Sequence, residues 1–259
     1  MDSQLTAWMW SAKRGVDVLA SIVLLIFLSP LLAMLGLLVR LDSPGPAVYK
    51  QLRVGKGGRP FYLFKLRSMY AGSDDRDYQR HLDCLIKSGR NGLSAAPYQK
   101  MAGDPRITPF GAFLRRYCLD ELPQLWNILK GDMSLVGPRP HVQQEVAFYT
   151  AGQRRRLDVR PGATGLWQVS DRNAFSFDQL IALDLAYIDH WNPALDIWIV
   201  VRTLLLMTCG IEGPNPGWVN PRPFSTQNET QPPPVYPQST QEQEEMITNP
   251  VFEARRKVC

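Results

Sequence analysis

The chain of 259 residues has a mass of 29.3 kDa, which is enough for one large domain or two small ones with a buried core. Charged residues make up 20% of the chain, and the mean hydropathy of −0.19 excludes a transporter with many membrane spans. The net charge of +5 favours a partner that carries phosphate, such as a nucleotide, a nucleic acid or a lipid headgroup. Four cysteines without a C-x-x-C pair are typical of a reducing compartment and indicate neither a disulfide framework nor a zinc cluster.

The first predicted element is a long apolar helix near the N-terminus. Residues 18–39 form a run of 22 residues without a charge, between Lys13-Arg14 and Arg40. At 1.5 Å a residue this run is about 33 Å long, enough to cross the hydrocarbon core of a bilayer. Ser29-Pro30 lies within it, and proline kinks or breaks a helix because it lacks an N–H donor. Basic residues on both flanks give a span no clear orientation, so a simple span and a hairpin that returns to the same face both stay open.

The second predicted element is a strand surrounded by cations. Phe61-Tyr62-Leu63-Phe64 lies in an alternating pattern that predicts a β-strand. Five basic residues accompany it: Arg53, Lys56, Arg59, Lys65 and Arg67. Taken alone, this pattern fits either a nucleic-acid surface or a diphosphate pocket beside a membrane.

Asp120 and Glu121 form the central candidate for catalysis. Adjacent residues on a helix diverge by about 100°, so the two carboxylates cannot face each other as an acid and a base. They can take separate roles, one attacking and the other holding a metal ion. Pro123 predicts a helix start just after them, where backbone N–H groups and the helix dipole favour phosphate. Taken alone, an Asp-Glu pair before a helix is usually a pair of capping acids, and this interpretation stays open.

An arginine in a stiff segment follows, and one competing motif lies upstream. Pro138-Arg139-Pro140 holds a guanidinium group, whose planar fork matches phosphate oxygens. The sequence contains neither a P-loop nor a G-x-G-x-x-G motif. Asp75-Arg76-Asp77 has the D-x-D spacing with which many nucleotide-sugar glycosyltransferases hold a metal, but its polar surroundings favour an exposed helix face.

The remaining sequence divides the chain into three parts. Residues 1–40 hold the membrane helix, residues 41–211 have the mixed composition of a catalytic domain, and residues 212–259 form a Pro/Gln-rich tail. Residues 195–207 are apolar nearly all round but too short to span a bilayer, which predicts an interfacial helix in preference to a core helix. We expect the tail to be disordered, because its composition cannot bury enough apolar surface.

From about residue 13 to residue 210 the sequence resembles the bacterial sugar transferase family, the monotopic polyprenyl-phosphate phosphoglycosyl transferases. Six separated blocks in the family's order carry the resemblance. They are Lys13-Arg14 with Ser29-Pro30, Phe64-Lys65-Leu66-Arg67-Ser68-Met69, Asp104-Pro105-Arg106-Ile107-Thr108, Leu119-Asp120-Glu121-Leu122-Pro123-Gln124, the stretch from Gly131 to Pro140, and the stretch from Arg160 to Gln168.

The resemblance implies a fold and a reaction. The fold is α+β and mostly helical, with a re-entrant N-terminal membrane helix broken at Ser29 and Pro30, a small β element and interfacial amphipathic helices. The reaction passes a sugar-1-phosphate from a nucleoside diphosphate sugar to polyprenyl (undecaprenyl) phosphate and releases a nucleoside monophosphate. Asp120 is implied as the nucleophile that forms a phosphosugar intermediate, and Glu121 as a ligand of Mg²⁺. The implied phosphate-binding residues are Lys65, Arg67, Arg106, Arg116 and Arg139.

The resemblance also implies partners and a location. The partners are the nucleotide sugar, the polyprenyl phosphate and the lipid bilayer, without nucleic acid, and a homodimer is left open. The location is the cytoplasmic face of the bacterial inner membrane, at the first membrane step of exopolysaccharide, capsule or O-antigen synthesis. Residues 170–173 differ by one residue from the family's Ser-Gly-Arg-Asn, so a UDP-hexose is favoured by a small margin over acetamido sugars. Two alternatives stay open, a D-x-D glycosyltransferase that releases UDP and a membrane-tethered binding protein without turnover.

Overall fold

The computed structural model describes residues 3–73, 104–170 and 175–209. Its fold is α+β and mostly helical, as predicted. The helices are α1 (Ser3–Asp42), α2 (Pro109–Arg116), α3 (Gln124–Lys130), α4 (Gln143–Ala147), α5 (Phe177–Asp189) and α6 (Pro193–Cys209), and the strands are β1 (Val48–Val54), β2 (Pro60–Leu66), β3 (Ser134–Val136) and β4 (Gly162–Thr164). The D-x-D stretch at 75–77, residues 171–173 and the tail at 212–259 lie outside the described residues.

The predicted strand at Phe61–Phe64 is confirmed as part of β2. This strand pairs antiparallel with β1, with Val54 opposite Pro60 and Val48 opposite Leu66. Helix α3 docks on the other edge of β2 through the fully buried Asn127. The Asn127 side chain accepts a hydrogen bond from the Phe64 N–H (3.0 Å) and donates one to the Tyr62 carbonyl (2.7 Å), as a neighbouring strand would. The docking fixes the position of α3 against the strand that carries Lys65.

A second, two-stranded sheet brings two of the sequence blocks together. Strands β3 and β4 are parallel, with Ser134 opposite Gly162. The backbones approach so closely here that a Cβ atom at Gly162 would lie 2.1 Å from the Gly137 nitrogen. A side chain at residue 162 is therefore excluded, since real Cβ atoms do not approach backbone that closely. The contact fixes the start of the Pro138-Arg139-Pro140 segment against the block that begins at Arg160.

Helix α1 continues through Pro30 without ending there. A proline at residue 30 leaves the Ile26 carbonyl without its usual N–H donor. The Ser29 hydroxyl donates to that same carbonyl at 2.8 Å and so replaces the missing hydrogen bond. This local compensation explains why the predicted break at Ser29 and Pro30 does not terminate the helix, and the re-entrant path stays a prediction.

Helix α1 contacts the rest of the protein at both of its ends. Near its start, Trp10 stacks on Trp191 with ring centroids 4.1 Å apart, and Lys13 forms an ion pair with Asp196. Near its end, Leu35 and Val39 are buried in a cluster with Leu66 and Leu114. The helix is therefore part of the folded body and not a tether that leads away from it.

Two helices present apolar side chains outward. On α1, Phe27 and Leu41 are 77% and 74% exposed, and on α6 the side chains of Ile197, Val201 and Leu204 are exposed as well. The opposite side of α6 is buried through Leu195 and Ile199. Among the described residues, one helix, α1, is long and apolar enough to cross a membrane, over Trp8–Asp42. The prediction of a helix over residues 195–207 is confirmed.

Candidate active site

The turn that carries Asp120 and Glu121 is set by a left-handed residue. Cys118 adopts φ 54° and ψ 21°, which reverses the chain after α2. A 3₁₀ turn, Leu119–Glu121, follows directly, and α3 begins at Gln124 after Pro123. The predicted helix start at Pro123 is confirmed, with the two carboxylates one short turn before it. Asp120 is only 7% exposed, whereas the Glu121 side chain is partly exposed.

The Glu121 carboxylate joins two of the predicted phosphate-binding residues. Its Oε1 atom accepts hydrogen bonds from Lys65 Nζ at 2.8 Å and from Arg139 Nη2 at 3.1 Å. Lys65 comes from β2, Glu121 from the 3₁₀ turn, and Arg139 from the segment after β3. Three blocks that are far apart in the sequence thus meet at one carboxylate oxygen.

Two cations and two carboxylates lie close together in this part of the protein. Burial lowers the pKa of Lys65 below its ordinary value, although the nearby carboxylates of Glu121 and Asp120 act in the opposite direction. The buried Asp120 directly precedes Glu121 in the same 3₁₀ turn.

Two of the other predicted phosphate-binding residues have different described partners. Arg67 is buried and donates to the carbonyls of Val39, Ser43 and Pro44, so it caps the end of α1. Arg106 forms a two-pronged pair with Asp104, with N···O distances of 2.9 and 2.7 Å. Lys65 and Arg67 are two residues apart, which is the spacing of neighbours on one face of a strand. The sequence pattern alone therefore did not show that the two side chains have different partners.

Arg116 differs from these two buried or paired arginines because it is exposed. It ends α2, and its guanidinium lies 5.9 Å from the centre of the Tyr117 ring. The chain reverses two residues later at Cys118, so Arg116 stands close in sequence to Asp120 without joining the Glu121 cluster in the described contacts. It presents its positive charge to solvent beside an exposed aromatic ring.

Three residues that support the site were not predicted from the sequence. Asn127 holds α3 on β2, as described above, and a buried pair, Arg156 and Asp184, lies behind Arg139. Arg156 stands in a run of three arginines that resembles a solvated surface, and Asp184 stands in the apolar part of α5. A charged residue inside an apolar helix face was the one available signal, because buried charges are normally paired.

The site offers carboxylates to a divalent cation. Among the described residues no group of three or more His, Cys, Asp or Glu side chains could hold a metal ion by itself. Mg²⁺ is commonly bound by one or two carboxylates together with substrate phosphates and water. Asp120 and Glu121 fit that donor set.

Comparisons with known proteins follow the same blocks. The family model described as bacterial sugar transferase matches residues 8–210. The chain is 42% identical over 200 residues to a galactosyl transferase, CpsE, of Streptococcus agalactiae, which covers 77% of the chain and 42% of CpsE. It is 40% identical over 194 residues to the exopolysaccharide production protein ExoY of Sinorhizobium fredii, covering 74% of the chain and 84% of ExoY.

A third relative has a more specific name. The chain is 40% identical over 200 residues to a UDP-glucose:undecaprenyl-phosphate glucose-1-phosphate transferase of Caulobacter vibrioides, covering 74% of the chain and 68% of the relative. The chain spans less than half of CpsE but most of ExoY. The family match contains every block that meets at Glu121, and it extends over more than three quarters of the sequence. The chain belongs to the bacterial sugar transferase family.

Proposed function

We propose that this protein transfers a sugar-1-phosphate from a UDP-hexose to undecaprenyl phosphate and releases UMP. The observation that carries the proposal is the cluster in which Lys65 and Arg139 share the Glu121 carboxylate beside the buried Asp120. A phosphoryl transfer needs an anionic nucleophile, and it needs fixed cations that stabilise the charge on the phosphoryl oxygens. The names of the relatives from Caulobacter and Streptococcus support a hexose, glucose or galactose, as the sugar.

The reaction proceeds in two displacements at one phosphorus atom. An Asp120 carboxylate oxygen attacks the phosphorus that bears the sugar, the bond to the second phosphate breaks, and UMP leaves. A phosphate oxygen of the lipid then attacks the same phosphorus and releases Asp120. A covalent intermediate lets two phosphate-bearing substrates use the pocket in turn. Lys65 and Arg139 bind and orient the phosphate groups in both steps.

The proposed reaction uses Mg²⁺. Glu121 and the substrate phosphates would hold the ion, with Asp120 beside them. When bound, the ion neutralises the diphosphate and stabilises the leaving phosphate. Lys65 and Arg139 keep Glu121 in place, because both donate to the same oxygen.

The identity of the product tests this function directly. Purified protein in nanodiscs with undecaprenyl phosphate, Mg²⁺ and a panel of nucleotide sugars should release UMP and form a lipid diphosphate sugar with UDP-glucose or UDP-galactose. The alternative glycosyltransferase would release UDP, because it moves the sugar without its phosphate. Release of UDP, or no product with any donor of the panel, would overturn the proposal. Protein in which Asp158, an exposed carboxylate, is changed to asparagine should match wild type.

We further propose that both ends of α1 lie on the cytoplasmic face of the inner membrane. Asp17 accepts a hydrogen bond from the Leu135 N–H, and Arg14 donates to the carbonyls of Ile128 and Leu129. At the other end, Arg67 donates to the Val39 carbonyl. One folded body thus contacts the helix on both sides of Pro30, which a straight crossing to the opposite face would not allow. The exposed apolar side chains of α1 and α6 support burial in lipid.

Cysteine labelling tests this topology. A cysteine placed at Asp2 or at Glu212 in an otherwise cysteine-free protein should escape an impermeant maleimide in intact bacterial cells and react after permeabilisation. Both positions should give the same result, because the proposal places the chain before α1 and the chain after α6 on the cytoplasmic face. Labelling of residue 2 in intact cells would contradict the proposed re-entrant path.

A further inference from the structure

The backbone around Arg139 is held at four consecutive carbonyl groups. The Pro138 carbonyl accepts from the Gly162 N–H at 2.8 Å, and the Arg139 carbonyl accepts from Arg156 Nη2 at 2.7 Å. The Pro140 carbonyl accepts from Arg53 Nη1 at 3.1 Å. The fourth, that of His141, accepts from the Val54 N–H at 3.0 Å. A segment with two prolines is already stiff, and these contacts fix where it stands.

The contact from Arg156 differs from the other three, because its donor is a buried charge. Arg156 forms an ion pair with Asp184, and the two side chains are only 2% and 1% exposed. Arg156 Nε donates to Asp184 Oδ2 at 2.7 Å. Arg156 Nη2 lies 2.5 Å from the same Asp184 oxygen and also donates to the Arg139 carbonyl. The Arg139 backbone also acts on Asp184, since it is among the groups that lower the pKa of this carboxyl against the effect of burial. The pair thus contacts the backbone of Arg139 from the inside of the protein.

Arg156 is also linked to the Arg139 segment by a second set of hydrogen bonds. Arg156 Nη1 donates to the Tyr149 hydroxyl, and this hydroxyl is 2.7 Å from His141 Nδ1. Burial and the charge of Arg156 hold the pKa of His141 well below its ordinary value. A neutral imidazole nitrogen can accept a hydrogen bond from the Tyr149 hydroxyl. The contacts therefore lead from Asp184 through Arg156 and Tyr149 to His141, the residue that follows Pro140.

A buried ion pair of this kind contributes little to stability on balance. Removing two charges from water costs free energy that their attraction often only offsets, and apolar replacements are frequently as stable. A guanidinium group, by contrast, is planar and presents its five N–H donors in fixed directions. It can therefore hold its hydrogen-bond partners in defined positions. The burial, the planar donor and the contact with Arg139 together indicate a role in placing that residue.

We propose that Arg156 and Asp184 are positioning residues that set the place of the Arg139 guanidinium over Glu121. This inference rests on the proposed function, in which Arg139 binds substrate phosphate. Neither residue touches the substrates; both act through the backbone of Arg139. A shift of about 1 Å in a group that binds the transition state can reduce a rate by about 100-fold. Losing either contact should therefore impair the reaction even in protein that is folded.

The neighbouring surface provides a matched control. Arg155 and Asp189 form an ion pair that joins the same two elements, residues 153–158 and α5, but their side chains are 51% and 43% exposed. Arg156→Lys and Asp184→Asn are compared with Arg155→Lys and Asp189→Asn, which make the same chemical changes at the surface. The inner changes should lower kcat/KM for UMP release about 10- to 100-fold, while the outer changes should stay within about twofold of wild type.

A double-mutant cycle separates positioning from general damage. Protein that carries Arg139→Ala has no guanidinium at residue 139, so a shift of the backbone there can no longer displace one. Adding Arg156→Lys there should lower single-turnover UMP release by no more than about threefold, because effects of residues that act as a unit do not add. A loss that adds in full would show that Arg156 acts by another route and would overturn the proposal.

The remaining outcomes are equally decisive. Thermal unfolding of each variant in nanodiscs is recorded beside its activity, and activity is compared at a temperature at which every variant is folded. Asp184→Asn leaves the buried Arg156 without its charge partner, so it should unfold at a lower temperature than Arg156→Lys, which keeps the charge pair. A folded Arg156→Lys and a folded Asp184→Asn with wild-type activity would overturn the proposal. If neither folds, the pair is a folding requirement and the proposal is wrong. Absence of UMP release by the wild-type protein would instead overturn the proposed function.

Discussion

Replacing Asp120 with asparagine is expected to lower turnover by at least about 10³-fold while the protein still folds. The side chain keeps its shape, but an amide is a poor nucleophile and lacks the negative charge. Asp120 is buried in the 3₁₀ turn before α3, so its replacement by a residue of the same shape should preserve the local packing. The rate of UMP release under saturating substrates measures the effect.

Trapping of the intermediate distinguishes Asp120 from its neighbour. With UDP-hexose and Mg²⁺ but without undecaprenyl phosphate, wild-type protein should release a burst of UMP and gain the mass of one hexose phosphate. Asp120→Asn should do neither, and Asp158→Asn should behave as wild type. If Asp120→Asn still acquires the phosphosugar, another residue is the nucleophile.

Glu121→Gln is expected to lower turnover by about 100-fold, through loss of geometry and not through loss of the nucleophile. The Glu121 carboxylate is shared by Lys65 and Arg139. A neutral amide would remove the negative charge that both cations share, and weaker pairing of a buried cation is unfavourable. The variant should still form the phosphosugar intermediate, slowly, which separates its phenotype from that of Asp120→Asn.

The magnesium dependence of this variant tests the proposed metal ligand. If Glu121 helps to hold Mg²⁺, Glu121→Gln should need a higher concentration of the ion for half of its maximal rate than wild type does. The same titration of Asp158→Asn provides the baseline for an acidic residue outside the cluster. A wild-type rate in Glu121→Gln would contradict a role for Glu121 of either kind. A reduced rate with unchanged magnesium dependence would contradict only the metal role.

The sequence predicted the local helices and strands well. It predicted several residues of the site but not how they meet. The β2 strand, the helix start after Asp120 and the helix over residues 195–207 follow from patterns within a few residues. Lys65, Glu121 and Arg139 were selected because they belong to recognised blocks, but no local pattern shows that they meet at one oxygen. That meeting depends on Asn127, which fixes α3 on β2 over a separation of more than 60 residues.

The differences between expectation and structure have local physical causes. Lys65 and Arg67 look equivalent in sequence, yet Arg67 finds unsatisfied carbonyls at the end of α1 and binds there. Pro30 was expected to interrupt α1, and the hydroxyl of the preceding Ser29 supplies the donor that the proline lacks. In both cases hydrogen bonds to carbonyls in or just after α1 decide the outcome, and such bonds depend on geometry that residue type alone does not fix.

The contacts along α1 have a consequence for how the chain acquires its structure. The helix is synthesised before its partners Leu114, Leu135 and Asp196. The packing around α1 therefore cannot be completed until the segments that carry these partners have been made. Under the membrane topology proposed above, the remainder of the chain folds against a helix that the bilayer already holds.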